Sequence, residues 1–401
     1  MLHAIPSPSS TPLRSGYTTG SCSAAAAKGA AQMLASQQQV DEVTIVLPGG
    51  ICATFVLQGQ TFTEEYAACF VIKDAGDDPD ITNGAEIHAR VERTPFDSAQ
   101  IAADSQGEII LIGGIGIGTV TKPGLAIAPG EWAINPVPRT MIEQSVRSVF
   151  SSFPPHLSPI TLTVEISIPD GEARATKTLN ARLGIIGGLS ILGTTGIVRP
   201  ISAKAWTDTI DAALDVAKAC GCRTVVLSTG RSSEMAAQKF LDEKKSGAGS
   251  QTHVSDSSDS PHSALTPLSE EAYIMMGDHV AYALQACMMR GFDQPIIACQ
   301  FAKLLKIACG YENTHAAASG LDLSVLHRWA EAAHISPEYL VIIANANTAR
   351  EIAVATGFDR ELMELVSSRA RQATAVHAPG IHVHPLLCGY EGTVVNQVPS
   401  A

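Results

Sequence analysis

The pattern of apolar and polar positions along the chain changes near Pro200. Before this point, apolar residues mostly alternate with polar ones, as in strands that bury one face. VDEVTIVLPGG (40–50) and ICATFVLQG (51–59) predict paired strands around a Pro-Gly-Gly turn, and ACFVIKDAGDDPDITNGAEIHARVER (68–93) predicts two strands around an Asp-rich loop. We therefore expect an α+β domain with Gly-rich loops over residues 15–200.

After Pro200, helical stretches separate three short apolar runs: RTVVLSTG (223–230), QPIIACQF (294–301) and YLVIIANA (339–346). Strands that alternate with crossover helices predict a Rossmann-like α/β domain with a mostly parallel sheet, here over residues 201–401. A polar, low-complexity stretch at about 244–269 interrupts the pattern, and its composition predicts a disordered insert inside this domain.

The composition of the chain indicates which ligands it can bind and in which cellular compartment it is expected. A net charge of −12 argues against general nucleic-acid binding, and an anionic ligand would need local cations or helix N-termini. No apolar stretch approaches the roughly 20 residues of a membrane span, and the Pro/Ser-rich residues 1–14 predict a disordered N-terminus rather than a signal peptide. Nine cysteines without a C-x-x-C pair indicate reduced thiols, so we expect a cytoplasmic protein without a bound metal.

The stretch LRSGYTTGSCSAAAAKGAAQML (13–34) joins a turn of hydroxyl residues to an alanine-rich helix, predicted from Tyr17 to about Gln39. Exposed N–H groups and the helix dipole make such a start an anion site, whereas a plain N-cap is the simpler alternative. The candidate anion ligands are Thr18, Thr19, Gly20 and Ser21.

The loop KDAGDDPD (73–80) places four carboxylates within seven residues. A cation site, a general base or acceptors for ribose hydroxyls would each use such a cluster, and an Asx-rich turn is the structural alternative. Close carboxylates repel one another, which is unfavourable in a loop that only turns the chain. The candidates are Asp74, Asp77 and Asp78.

Gly-rich loops with neighbouring cations form the next candidate site. LIGGIGIGTVTKPG (111–124) follows a predicted strand, but Pro123 stands where a dinucleotide-binding helix must begin. We interpret it as a loop whose backbone, at Gly114 and Gly116, approaches a flat ligand closely. Single cations are more often solvated surface charges, but four beside Gly-rich turns supply local positive charge. They are Lys122, Arg139, Arg182 and Arg199.

Two histidine-containing strings come later in the chain. ENTH (312–315) lies between helical stretches, where Asn313, Thr314 and His315 either cap a helix or contact a ligand. His382 and His384 share a face of a predicted strand and could bind a metal, but the sequence around them has no carboxylate, which favours a structural role. The sequence contains no Walker A, G-x-S-x-G or H-E-x-x-H motif.

Five of these strings, in this order, resemble the cobalt-precorrin-5B C1-methyltransferases of anaerobic cobalamin (vitamin B12) biosynthesis. The strings are GYTTGSCSAAAAKGA (16–30), KDAGDDPDITNGAEI (73–87), GGIGIGTVTKPGLAIAPGEWAINPVPR (113–139), NARLGIIGGLSILGTTGIVRPIS (180–202) and NTH (313–315). The resemblance implies that S-adenosylmethionine methylates carbon C1 of a cobalt-containing tetrapyrrole, giving cobalt-precorrin-6A. Cobalt then belongs to the substrate, and S-adenosylmethionine is the co-substrate.

The resemblance also suggests roles for the candidate residues. The substrate is an anionic cobalt-corrinoid with several carboxylates, and a helix start, Gly-rich loops and cations suit it. Its predicted contacts are Thr18, Thr19, Gly20, Ser21, Gly114, Gly116, Lys122, Arg139, Arg182, Thr194, Thr195 and Arg199. The predicted donor contacts are Asp77, Ser228, Gly230, Asn313 and Thr314. The predicted catalytic residues are Asp74, Asp78 and His315.

Two strings depart from the family pattern. CQFAK (299–303) replaces a G-H-x-G-K-like string, and STGRSSE (228–234) replaces a T-P-G-N-like string. Both follow predicted strands, where α/β folds bind ligands, so a changed substrate or weakened activity is an alternative. A non-catalytic tetrapyrrole carrier and a small-metabolite kinase are further alternatives, and a homo-oligomer is left open.

Overall fold

The computed structural model describes residues 13–94, 108–151, 161–200, 202–247, 268–318 and 320–396. The chain divides into two compact units, Met1–Ser202 and Ala203–Ala401, beside the boundary predicted after residue 200. The predicted disorder of residues 1–14 falls outside the described residues except at its end. The predicted insert does so over residues 248–267.

The first unit is an α+β structure. Its elements are β1 (Gly16–Tyr17), α1 (Thr19–Ser36), β2 (Glu42–Val46), β3 (Cys52–Val56), β4 (Gln58–Phe62), β5 (Tyr66–Ile72), β6 (Glu86–Thr94), β7 (Ile109–Gly113), β8 (Thr119–Val120), α2 (Pro136–Phe150), β9 (Thr161–Ser167), α3 (Gly171–Ala175), β10 (Ile185–Ile186) and β11 (Ile197–Val198). The main sheet has the order β4-β5-β6-β9-β7, antiparallel except for the pair β7 and β9. The predicted hairpin is present as β2 and β3.

Helix α1 packs against α2 and the main sheet, and its alanines from Ala24 to Ala31 are fully buried. Small side chains allow this close approach: a Cβ on Gly29 would lie 2.3 Å from Leu57 Cδ1. The helix is shorter than predicted because Tyr17 pairs with Ile197 as a strand residue, and Gln37 takes a left-handed conformation that ends the helix.

The second unit is a three-layer α/β structure. Its elements are α4 (Ala203–Ala219), β12 (Val226–Ser228), α5 (Arg231–Gly247), β13 (Tyr273–Met275), α6 (Val280–Arg290), β14 (Ile296–Cys299), α7 (Phe301–Ala308), α8 (Leu323–Ala332), α9 (Pro337–Asn345), α10 (Ala349–Ala355), α11 (Arg360–His377), β15 (His384–Cys388) and β16 (Val394–Asn396). One core packs α4, α6, α7 and α11 against one sheet face, and a second packs α5 against the other.

The sheet of the second unit has the order β13-β12-β14-β15-β16, and only β16 is antiparallel. The predicted mostly parallel sheet is therefore present. Its order is that of flavodoxin-like sheets rather than of dinucleotide-binding Rossmann sheets. The strand order reverses between β12 and β14, and ligands of such folds bind at this switch point, beyond the carboxyl ends of the strands.

The prediction of a strand in YLVIIANA (339–346) is wrong, because most of this run forms helix α9. Pro337 occupies the first turn after Ser336 and Glu338 follows it, which are helix-start signals. A short apolar run alone does not distinguish a strand from a helix.

Candidate functional site

The start of helix α1 is covered by the loop 192–196 of the same unit. The Gly20 N–H donates to the Leu192 carbonyl at 3.1 Å, and Thr19 Oγ1 accepts from the Leu192 N–H at 3.0 Å. Ser21 Oγ donates to the Gly196 carbonyl at 2.7 Å. The loop fits so closely that a Cβ on Gly193 would lie 2.4 Å from the Thr18 side chain.

The hydroxyl groups of this start are buried and bonded within the protein. Thr18 caps the helix by accepting the Ser21 N–H at 3.2 Å, so the simple N-cap is what the structure shows. Thr194 and Thr195 are exposed on the covering loop. A carboxylate bound at this helix start would have to displace the loop, so this prediction now requires a movement of residues 192–196.

The Asp-rich loop is held by charged and backbone partners. Arg14 donates to both oxygens of Asp74, at 2.5 and 2.9 Å, and its backbone N–H donates to Asp77 Oδ2 at 2.6 Å. The hydrogen bond from Arg14, with a further one from the Gly76 N–H, keeps the pKa of Asp74 below its ordinary value. Asp74 is exposed, so this loop presents an ionised carboxylate to solvent.

Lys73 offsets the repulsion expected among these carboxylates. Its side chain is 1 % exposed and its Nζ lies 2.6 Å from Asp80 Oδ2, while the other oxygen of Asp80 accepts from the Thr82 hydroxyl and N–H. Burial alone would raise the pKa of Asp80, but the hydrogen bonds from Lys73 and Thr82 lower it below the ordinary value. Lys73, Asp80 and Thr82 therefore form a group that fixes the base of the loop.

The two Gly-rich stretches pack against each other. The Leu189 N–H donates to the Gly116 carbonyl at 2.8 Å, and a Cβ on Gly188 would lie 2.3 Å from that oxygen. A Cβ on Gly116 would lie 1.9 Å from the Ile168 carbonyl oxygen, and one on Gly114 would lie 2.4 Å from Glu165 Oε1. These glycines thus allow close approach of the protein's own chain, and contact with a flat ligand stays a prediction.

The four predicted cations fall into three places in the first unit. Lys122 Nζ donates to the Arg182 carbonyl at 3.3 Å, which places these two residues together beside Gly184. Arg139 is half-buried in the first turns of α2, and Arg199 is exposed directly after β11. The structure therefore pairs only Lys122 with Arg182 directly.

In the second unit, the predicted donor residues lie at the carboxyl ends of the parallel strands. Ser228 ends β12 at the switch point, but its hydroxyl points inward and donates to the Ile274 carbonyl at 3.2 Å. Gly230 begins the turn into α5, and open space lies where its Cβ would stand. Of these two residues, Gly230 faces the space that a ligand could occupy.

A charged group joins three segments at the same edge of this sheet. Asp278, after β13, accepts from Lys303 of α7 and, at 2.6 Å, from the Thr314 hydroxyl. Lys303 and the largely buried Lys306 both donate to the Thr314 carbonyl at 3.0 Å. Burial alone would raise the pKa of Asp278, but hydrogen bonds from Lys303 and Thr314 lower it below the ordinary value. Burial, with the neighbouring Lys303, lowers the pKa of Lys306.

This group positions the NTH string. Thr314 is fully buried, whereas His315 next to it is exposed. The Asn313 side chain accepts the His315 N–H at 2.8 Å, which forms an Asx turn. His315 is thereby presented to solvent beside a rigidly held threonine, while the predicted catalytic residues Asp74 and Asp78 belong to the first unit.

The sequence reasoning missed Lys73, Asp80 and Asp278 as members of these groups. Lys73 stood within the quoted Asp-rich string, and a lysine at the end of an apolar strand was the available signal. Asp278 lies 36 residues before Thr314, and no local pattern marks that pairing.

Comparisons with known proteins agree with the resemblance drawn from the motifs. The family model CbiD matches residues 7–200, and the model CbiD, C-terminal domain, matches residues 313–399. A cobalt-precorrin-5B C(1)-methyltransferase from Pelobacter propionicus is 60% identical over 392 residues, which are 96% of each chain. One from Geobacter sulfurreducens is 54% identical over 96% of this chain and 98% of its own.

A crystal structure of the cobalamin biosynthesis protein (cbiD) from Archaeoglobus fulgidus is 24% identical, with a TM-score of 0.35, and the match covers 74% of this chain and 79% of that one. The matching models and the curated relatives define the class: the chain belongs to the CbiD family. Within the described residues, no helix is long and apolar enough to cross a membrane.

Proposed function

We propose that this protein transfers a methyl group from S-adenosylmethionine to C1 of cobalt-precorrin-5B, giving cobalt-precorrin-6A in anaerobic cobalamin biosynthesis. The observation that carries the proposal is the 60% identity, over 96% of both chains, to a relative named for this reaction. A new bond forms between the methyl carbon and C1, and the methyl–sulfur bond breaks with its electron pair left on sulfur. The ring gains the positive charge, which loss of a proton balances.

The first unit supplies groups that suit the anionic substrate. Lys122 Nζ lies beside the main chain of Arg182, and Arg139 and Arg199 are two further cations of this unit in a chain whose net charge is −12. Guanidinium groups bind carboxylates in a bidentate manner, so these residues are our proposed contacts for the acid side chains of the macrocycle.

The second unit supplies the proposed donor site. The switch point between β12 and β14 is where folds of this kind bind ligands, and Gly230 borders open space there. The group formed by Asp278, Lys303 and Thr314 fixes the NTH string at the same sheet edge. Because a sulfonium donor already carries a reactive methyl group, positioning supplies most of the rate.

The roles of the carboxylates follow from charge. An anionic macrocycle is repelled by the Asp-rich loop, so Asp74 and Asp77 are proposed to face the donor, and Asp78 to act in the chemical step. We expect Asp78→Asn to lower the single-turnover rate at saturating donor while circular dichroism remains that of the wild type.

The direct experiment incubates the protein with S-adenosylmethionine and cobalt-precorrin-5B and follows the corrinoid by mass spectrometry. A mass increase of one methyl group supports the proposal. Binding of the corrinoid without methyl transfer would instead favour a carrier, the alternative raised by the altered strings CQFAK and STGRSSE.

A further inference from the structure

An exposed apolar surface lies on a short ribbon in the first unit. Strands β8 and β10 are antiparallel, with Ile186 opposite Thr119, and Thr119 is in turn bridged to Trp132. Residues opposite each other in antiparallel strands project to the same face, so Ile186, Thr119 and Trp132 share one face. Ile186 is 51% and Trp132 is 36% exposed.

The other face of this ribbon is a small apolar core, which fixes the exposed face in place. Val120 and Ile185 are buried there with Ile127 and Ala133. The exposed apolar residues are therefore not part of that core.

The Trp132 ring packs against the main chain of Gly113. A Cβ on Gly113 would lie 2.5 Å from Trp132 Cε3, so the ring rests where only glycine leaves room. Gly113 ends the edge strand β7 of the main sheet. The indole is thus backed by main chain and keeps about a third of its surface exposed.

Positive charge lies at one end of the same ribbon. Lys122 follows β8 by two residues, Arg182 precedes β10 by three, and Lys122 Nζ donates to the Arg182 carbonyl. Glu131, the acidic neighbour of Trp132, alternates with it along an extended segment and so projects to the opposite face. An apolar face on a ribbon that ends in a lysine and an arginine complements a flat apolar ring with carboxylates on its rim.

We propose that Trp132 and Ile186 form a platform on which the ring of a tetrapyrrole polycarboxylate rests, with Lys122 and Arg182 receiving carboxylates at its edge. This inference rests on the proposed function for the class of ligand. Stacking on the indole face supplies affinity, and the cations fix the orientation of the ring.

The test measures binding of cobyrinic acid, a cobalt-corrin polycarboxylate, to the full chain by calorimetry. Trp132→Ala is expected to weaken binding roughly tenfold or more, as for an aromatic anchor at the centre of a contact. Gly113→Ala is expected to weaken binding as well, because the added Cβ displaces the indole. Trp132→Phe should retain most of the affinity.

Two matched controls come from the β2–β3 hairpin. Val56→Ala removes an exposed apolar side chain, and Gly49→Ala adds a Cβ where no atom lies within 4 Å. Both should bind like the wild type. If Trp132→Ala does not fold, Trp132→Leu replaces it, since that change keeps an apolar side chain at this position and removes the aromatic face.

Unchanged affinity in folded Trp132→Leu and Gly113→Ala variants would overturn the platform. Equal affinity for cobinamide, whose side chains are amides, would overturn the assignment of a polycarboxylate. The methyl-transfer assay on the wild type is read separately: binding that depends on Trp132 without methyl transfer refutes the proposed function and leaves the platform standing. Methyl transfer by the wild type, together with a corrinoid affinity that does not depend on Trp132, supports the proposed function and refutes the platform.

Discussion

Each unit contains a lysine, an aspartate and a threonine joined by hydrogen bonds, and the two groups differ in how far apart their members lie along the chain. In the first unit, Asp80 accepts from Lys73 and from Thr82, which is two residues further along the chain. In the second unit, Asp278 accepts from Lys303 and from Thr314, which lies 36 residues away. The first group closes one loop, whereas the second ties three segments together.

The two groups also differ in burial. Lys73 is 1 % exposed, whereas Lys303 is 31 % exposed and shares the Thr314 carbonyl with Lys306. A buried ammonium depends entirely on its partner, while a partly solvated one keeps water as an alternative. The comparison therefore predicts that the local group contributes more to stability, and that the long-range group contributes more to the shape of the candidate site.

The largest effect on the free energy of unfolding is expected for Lys73→Met. Removing the ammonium leaves Asp80 without its cation. Breaking a buried ion pair in this way costs about 3 kcal/mol or more, and we expect the lower value because the Asp80 side chain keeps some contact with solvent. Urea unfolding of the full chain, followed by fluorescence and circular dichroism, measures this loss of stability.

The matched control is Lys73→Met combined with Asp80→Asn. Removing both charges should restore part of the lost stability, because no carboxylate then remains without its cation. A single variant as stable as the wild type would show that Lys73 does not hold this loop.

The second effect is that of Lys303→Met, expected to cost about 1 kcal/mol because the pair is partly solvated. Lys306 still donates to the Thr314 carbonyl, so the segment keeps one of its two cations. The expected consequence is weaker binding of S-adenosylmethionine with little loss of stability, measured by calorimetry and by thermal unfolding. A loss of stability equal to that of Lys73→Met would contradict the difference drawn between the two groups.

The fold was predictable from sequence where the signal is local. Alternation around Pro-Gly-Gly predicted β2 and β3, and the hydroxyl residues before the alanines indicated a simple N-cap as the alternative that Thr18 provides. The strand prediction for YLVIIANA was wrong because eight apolar-rich residues fit a strand as well as a helix, and the helix-start signal at Ser336–Pro337 lies before this run.

The candidate site was less predictable because its contacts are distant along the chain. The TTGS hydroxyls could be foreseen at a helix start, but not the loop 192–196 that covers them. Likewise, Gly116 marks an unusual backbone position, while its partners Gly188 and Ile168 follow only from the folded structure. The sequence therefore indicated the strings involved, and tertiary packing decided which of their atoms remain available.

The third effect is a loss of stability in acid. The folded-state pKa values of Asp80 and Asp278 are lowered, so each carboxylate contributes stability above the unfolded pKa of about 3.9 and loses it as the pH falls through the folded value. This effect should be smaller than either lysine substitution, because a protonated aspartate still forms hydrogen bonds. Asp80→Asn and Asp278→Asn should each flatten the decline of the unfolding midpoint below about pH 5, and a decline as steep as that of the wild type would contradict these assignments.

The smallest effect on stability is expected for Asp74→Asn. This substitution tests the exposed part of the Asp-rich loop, whereas Lys73→Met tests its buried base. The pair of Asp74 with Arg14 is more than half exposed, and such pairs contribute little to folding, so the unfolding midpoint should not change. If Asp74 faces the donor as proposed, the same variant should weaken S-adenosylmethionine binding roughly tenfold, the loss of one charged hydrogen bond.

Arg14→Gln is the control, because it removes the partner of Asp74 and keeps the carboxylate. Weaker donor binding in Asp74→Asn but not in Arg14→Gln assigns the effect to the carboxylate itself, whereas equal weakening in both assigns it to the anchoring of the loop and contradicts a direct contact.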